Sequence, residues 1–208
     1  MDFVEFPKIA RLNREIVITE KIDGTNAQVM IVRAGADGNQ PNWDRTAVVQ
    51  SAGVVYDVYA GSRSRWITPS ADNFGWARWV FEHAEELLEL GEGSHFGEWW
   101  GAGIQRRYGL MEKRWSLFNV SRWGDARPAC CHVVPVLARG IGFGVVAEAM
   151  ERLRREGSVA APGFMKPEGI VAFHMQGNVG FKATLERDEE HKAETARRAV
   201  SSTEGPAK

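Results

Sequence analysis

Lys21 sits in the run Glu20-Lys21-Ile22-Asp23-Gly24-Thr25-Asn26, between two apolar stretches, 16–18 (Ile-Val-Ile) and 27–32 (Ala-Gln-Val-Met-Ile-Val). A primary amine is a nucleophile only when deprotonated, and its reference pKa is about 10.4. A site that uses one must lower that value with nearby cations or by desolvation. A divalent metal beside the amine would both depress the pKa and orient the nitrogen. The same residues also have a plain explanation: Asp-Gly between two β-rich runs is a strong turn signal, so Glu20–Asn26 reads equally as the tip of a hairpin.

The elements that must position these groups alternate between strands and a few helices. Beyond the two strands around Asp23-Gly24, residues 33–46 read as a loop rich in Gly, Asn and Pro. Thr46–Val49 and Val54–Tyr59 read as strands. From Asp72 to Leu90 apolar residues recur at helical spacing, with Asp72 as N-cap and Gly91 as stop. A strand over 94–101 ends in glycine, and its Trp99 and Trp100 should pack on opposite faces. Trp115–Val120 and Val133–Leu137 read as strands, and Phe143–Glu156 as a helix. Gly169–His174 and Val179–Ala183 form a closing pair joined by Gln176-Gly177-Asn178. Leu185–Val200 is highly charged and reads as a helix, followed by a frayed tail.

Several fragments along this framework, in order, resemble one superfamily. Lys21-Ile22-Asp23-Gly24-Thr25-Asn26 resembles motif I of the covalent nucleotidyltransferases, the ATP-dependent ligases and capping enzymes. Arg63, within Ser62-Arg63-Ser64-Arg65, resembles the arginine motif that follows it. Phe96-Gly97-Glu98-Trp99 resembles motif III, and Leu117-Phe118-Asn119-Val120 the adjoining aromatic motif. Glu168-Gly169-Ile170-Val171 resembles motif IV, and Phe181-Lys182-Ala183-Thr184 motif V. The resemblance runs from about Lys8 to Thr184. Lys-x-Asp-Gly alone is weak, but several fragments in the family's order are far more specific. Asn26, where DNA ligases and capping enzymes usually carry arginine, makes the run most similar to RNA ligases of the T4 RNA ligase 2 kind.

The resemblance implies an α/β (α+β) nucleotidyltransferase fold, antiparallel sheets flanked by helices in the manner of an ATP-grasp-like ligase catalytic domain. It implies ATP as substrate, with AMP carried covalently on Lys21, and Mg2+ or Mn2+ as cofactor. By the same resemblance Lys182 meets the α-phosphate, and Arg63 meets phosphate or ribose, with Arg65 an open alternative. Glu98 accepts from ribose hydroxyls, Phe118 stacks on adenine, and the backbone around Glu20 helps select the base. Glu168 and Asp23 are the candidate metal ligands. Asn26 serves the later steps near the RNA ends. Those steps pass AMP to an RNA 5′-phosphate, after which a 3′-hydroxyl displaces AMP and seals the strand. Motif V commonly has two lysines with one residue between them; here Gly180 fills the first slot, and Lys166 is a substitute cation. The alternatives are an ATP-dependent DNA ligase, a capping-type enzyme, or a nucleotide- or RNA-end-binding protein without full ligation activity.

Composition sets outer bounds. The chain has 208 residues, 44% of them hydrophobic and 25% charged, which suits one globular domain. Its formal net charge of −1 provides no global field for nucleic acid, so an RNA substrate needs a local basic groove. Arg106, Arg107 and the cluster Arg152, Arg154 and Arg155 are candidates for RNA phosphates, with a solvated surface as the plainer reading. Cys130 and Cys131 are adjacent, read as reduced thiols, and have no zinc-ligand spacing. No apolar run has the length to span a membrane. The expected organisation is a nucleotidyltransferase domain over residues 1–184 and a charged helix and tail over 185–208, without a separate OB-type domain. The expected setting is a cytoplasmic monomer, of bacterial or phage type, with room for a protein partner.

Overall fold

The computed structural model describes residues 2–35 and 44–186. Among the described residues, eleven strands form two sheets. They are β1 (Glu15–Lys21), β2 (Thr25–Arg33), β3 (Ala47–Ser51), β4 (Val54–Gly61), β5 (Trp66–Ile67), β6 (Gly93–Gly101), β7 (Lys113–Leu117), β8 (Cys131–Val133), β9 (Val136–Ile141), β10 (Gly169–His174) and β11 (Val179–Thr184). The helices are α1 (Trp76–Glu82), α2 (Ala84–Leu87), which runs into a 3₁₀ turn over Leu88–Leu90, and α3 (Gly144–Glu156). The architecture is α+β, as the motifs imply. One sheet has the order β11-β10-β1-β9; the other runs β3-β4-β2-β6-β7-β8, with β5 beside β4. All pairings are antiparallel except β7 with β8.

The main core lies on one face of the larger sheet. There Trp76 and Trp79 stack with ring centroids 5.3 Å apart, and the rings of Trp99 and Trp115 tilt against them. Such aromatic clusters bury large areas, so most of the chain's tryptophan belongs to packing. A second core joins α3 to the four-stranded sheet through Ile16, Ile18, Leu153 and Ile170. A third, small core of Ile22, Trp100, Tyr108, Val134 and Ala161 lies where the two sheets meet. Trp99 and Trp100 do pack on opposite faces of β6, one in the main core and one in this seam.

Five local expectations need correction. β1 and β2 do not pair: β1 lies between β9 and β10, and β2 between β4 and β6, so Asp23-Gly24 carries the chain from one sheet to the other. The helix expected over 72–90 breaks at His83, whose ring stacks on Trp79 and whose Nδ1 lies 2.8 Å from the Trp79 carbonyl oxygen. Strand β7 stops at Leu117 instead of Val120, because the Asn119 side chain accepts from the Ser121 and Arg122 amides and turns the chain. The segment 133–137 is split between β8 and β9 by Val134-Pro135, since proline cannot donate to a ladder. The N-cap of α1 is Gly75 and not the expected Asp72, which lies three residues earlier; its carboxylate still accepts from the amides of Asn73, Ala77 and Arg78. The charged helix expected from Leu185 falls largely outside the described residues. Cys130 and Cys131 are free thiols.

Candidate active site

A cleft of about 680 Å³ opens between the two sheets. Its wall on the small sheet is the face carrying Val17, Thr19, Lys21, Val171 and Phe173; its wall on the large sheet carries Phe96 and Glu98. Side chains alternate along a strand, so one ladder offers one face to α3 and the other to the cleft. Cross-strand register places the next group. Val171 pairs with Thr19 on one side and with Lys182 on the other, so the exposed Lys182 shares the cleft face, one row from Lys21. Gly180, opposite Phe173, leaves that row without a second cation.

Lys21 ends β1, and its Nζ donates to Glu168 Oε2 at 2.5 Å. Glu98 stands within electrostatic reach of Lys21 and accepts from the Gly24 amide at 3.0 Å. Burial pushes the Glu98 carboxyl up to about 7; Lys21 and the Gly24 amide oppose the shift, while Glu168 and Asp23 add to it. Asn26 is the cross-strand partner of Glu98 and shares its face. Phe118, released from β7 by the Asn119 turn, lines the large-sheet side of the cleft and is 39% exposed. Gly24 is required by close approach: a Cβ there would lie 2.4 Å from the Trp99 carbonyl oxygen and 2.7 Å from the Trp100 Cβ.

Three assignments from the sequence look different in three dimensions. Glu20 contributes to the cleft wall, yet its carboxylate turns to the other side of β1. There it accepts from Ser158 Oγ at 2.6 Å and from the Val159 and Ala160 amides at 2.8 Å. Burial raises its pKa, and those three bonds oppose the rise. Asp23, expected to ligate metal, is paired with Arg106, whose Nε donates to Asp23 Oδ2 at 3.1 Å. Arg63 and Arg65 lie exposed on the β4–β5 turn and do not line the cleft. Arg152, Arg154 and Arg155 are paired with Glu156 and Glu151 on an exposed helix face.

Sequence reasoning missed Tyr108, whose buried hydroxyl accepts from the Asp23 amide at 2.8 Å. It also missed Phe74. That residue is held in the left-handed region at φ 53° with its ring 45% exposed, while Lys113 Nζ and Trp99 Nε1 both donate to its carbonyl. The preceding Asn73 reaches Thr25, the neighbour of Asn26. Left-handed backbone at a bulky residue is a strain signal that no propensity scale contains.

Among the described residues no three His, Cys, Asp or Glu side chains gather closely enough to hold a metal ion by themselves. Glu98 and Glu168 nevertheless fit a hard cation. Magnesium and manganese are commonly held by one or two carboxylates, with water and substrate phosphate completing the shell.

A cleft between two largely antiparallel sheets, with a lysine at the strand end that forms its base, defines a nucleotidyltransferase-type fold. The family model for RNA ligases matches residues 14–184, and the chain belongs to that family. Solved structures of a Naegleria gruberi RNA ligase share the fold. An apo mutant is 19% identical over 86% of this chain and 52% of that one, with a TM-score of 0.51. A mutant with ATP and Mn is 19% identical over 87% and 53%, at 0.53. The form with PPi is 15% identical over 90% and 52%, at 0.52. This chain thus spans about half the length of the ligases it matches. No curated protein matches it. Among the described residues no helix is long and apolar enough to cross a membrane.

Proposed function

We propose that this chain is the adenylylating catalytic domain of an ATP-dependent RNA ligase acting through a lysyl-AMP intermediate. The observation that carries the reading is the position of Lys21 Nζ in the cleft between the sheets. It lies 2.5 Å from Glu168 and within electrostatic reach of Glu98. A proton passes from the Lys21 ammonium to the Glu168 carboxylate that it contacts, and the free amine attacks the α-phosphorus of ATP. A P–N bond forms, the bond to the β-phosphate oxygen breaks, and diphosphate leaves in line. AMP then passes to an RNA 5′-phosphate, and an RNA 3′-hydroxyl displaces it.

Lys182 meets the α-phosphate from the neighbouring row. Phe118 offers a face to adenine, and Glu98 accepts from the ribose hydroxyls. Glu168, with Glu98, would hold magnesium or manganese, which supplies positive charge against the phosphates when bound. Glu20 acts through its backbone in the cleft wall, and Arg63, with Arg65 as the alternative, is the candidate for phosphate or ribose contacts of the nucleotide, approaching from outside the cleft. Asn26 lies beside Glu98 at the passage to RNA. It is also the residue that favours a T4 RNA ligase 2-like enzyme over a DNA ligase or capping enzyme.

The test is covalent labelling with α-labelled ATP or GTP and a divalent metal. Label from ATP that disappears in Lys21→Ala is the expected result. Label from GTP alone, or label that survives Lys21→Ala, overturns the reading. A chase of the adenylylated protein with nicked RNA, single-stranded RNA and nicked DNA then assigns the ends it joins.

A further inference from the structure

The loop between β6 and β7, residues 102–112, belongs to the large sheet but closes on the catalytic strands of the small one. Within it Gln105, Arg107 and Tyr108 all have left-handed backbones, at φ 42°, 59° and 51°. Such conformations are strained and persist only where the surroundings over-determine them. Here the surroundings are specific. The Tyr108 ring lies edge-on to Trp100 with centroids 4.9 Å apart, and 4.7 Å from Phe164, and its hydroxyl accepts from the Asp23 amide. Between these two residues' neighbours, Arg106 reaches three separate segments. Nε donates to Asp23 Oδ2 at 3.1 Å, Nη1 donates to the Lys166 carbonyl at 2.9 Å, and Nη2 lies 3.8 Å from Glu186. Asp23 is two residues past Lys21, Lys166 two before Glu168, and Glu186 two past the end of β11, the strand of Lys182. One guanidinium therefore ties together the chain just beyond Lys21, just before Glu168 and just past the strand of Lys182, at the ends of three neighbouring strands of the small sheet.

We infer that the β6–β7 loop is a latch between the sheets and that Arg106 is a positioning residue: by holding Asp23 it sets where the Lys21 amine stands relative to Glu168 and the incoming α-phosphate. The inference deepens the lysyl-AMP reading and rests on it. The Nε, Nη1 and Nη2 of Arg106 are engaged by Asp23, Lys166 and Glu186, so its loss is expected to disturb aim and not nucleotide affinity. In a displacement with in-line geometry a misplacement of about 1 Å costs on the order of 100-fold in rate.

The test uses the whole chain with Arg106→Ala, Arg106→Lys and Tyr108→Phe, the last retaining the ring between Trp100 and Phe164. Three quantities are read: the single-turnover rate of Lys21 labelling at saturating ATP, the ATP concentration giving half that rate, and amide hydrogen exchange over residues 22–24 without nucleotide. Arg106→Ala is expected to slow labelling by about 10- to 100-fold, to leave the half-saturating ATP within about threefold, and to speed exchange at Asp23 by about 10-fold or more. Arg106→Lys recovers part of the labelling rate, and Tyr108→Phe moves exchange in the same direction. An unchanged labelling rate overturns the inference. So does a raised ATP requirement at constant maximal rate, which would make Arg106 a nucleotide contact, and so does a uniform rise in exchange across the chain, which would make it a general stabiliser. If the wild type takes no label, the lysyl-AMP reading fails, and unchanged exchange at Asp23 in Arg106→Ala would still separately remove the latch.

Discussion

The Glu98 carboxyl makes a stability prediction that needs no substrate. Folded, it titrates at about 7, against an ordinary value of 4.5. Burial is the largest cause, and the neighbouring Glu168 and Asp23 add to it. Between those two pH values the folded chain holds a proton that the unfolded chain has released. Below 4.5 both states are protonated, so the group is neutral in its effect. As pH rises through the window the folded state loses ground, and above 7 the full penalty is present, about 3 kcal/mol. Glu98→Gln imitates the protonated form and keeps an acceptor for the Gly24 amide. The variant is therefore expected to gain on the wild type as pH rises, by about 2–3 kcal/mol between pH 5 and pH 8. The assay is denaturant unfolding of both proteins, without nucleotide or metal, at steps across that range. Two stability profiles that stay parallel would refute the reasoning and place Glu98 in an environment far wetter than the seam between Gly24 and Trp100. The same change is expected to suppress labelling of Lys21, so stability and activity should move in opposite directions.

Two further perturbations follow from geometry. Gly24→Ala puts a methyl group 2.4 Å from the Trp99 carbonyl oxygen; unfolding curves should show a loss of about 1–3 kcal/mol, with labelling of Lys21 impaired as the crossing shifts. Asp72→Ala removes the acceptor for the Asn73 amide and for the Ala77 and Arg78 amides in the first turn of α1; a loss of about 1 kcal/mol in denaturant unfolding, with labelling retained, is the expected outcome.

Much of the framework was legible because its signals are local. The β10–β11 hairpin and α3 end at residues that stop them: Gln176-Gly177-Asn178 turns the chain, and Gly157 has the positive φ of 81° that ends a helix. The set Lys21, Glu98, Phe118, Glu168 and Lys182 was picked out through the ordered motifs; of these Lys21, Glu98 and Phe118 line the cleft, Glu168 pairs with Lys21, and Lys182 lies one strand further along the small sheet. What the sequence withheld depends on tertiary contact. Gly24 resembles a turn glycine, but its lack of a side chain answers to the backbone of β6, and no local pattern tells the two apart. Arg106 and Tyr108 sit in a loop whose composition is unremarkable; only the meeting of the sheets reveals what they hold. Asp23 drew a metal assignment because carboxylates suit hard cations, and the partner that engages it lies 83 positions away.

The order in which the two sheets draw on the chain bears on how the enzyme comes into being. The large sheet uses one continuous stretch, from Thr25 to Val133, whereas the small one joins β1 to strands that begin only at Val136. During synthesis the tryptophan-rich half has all its strands before β1 acquires any neighbour in its own ladder. Lys21 is thus made early and meets Glu168 late. A nascent chain halted before Glu168 would have every strand of the large sheet while Lys21 still lacked its ion-pair partner, so that contact arrives only with the final hairpin.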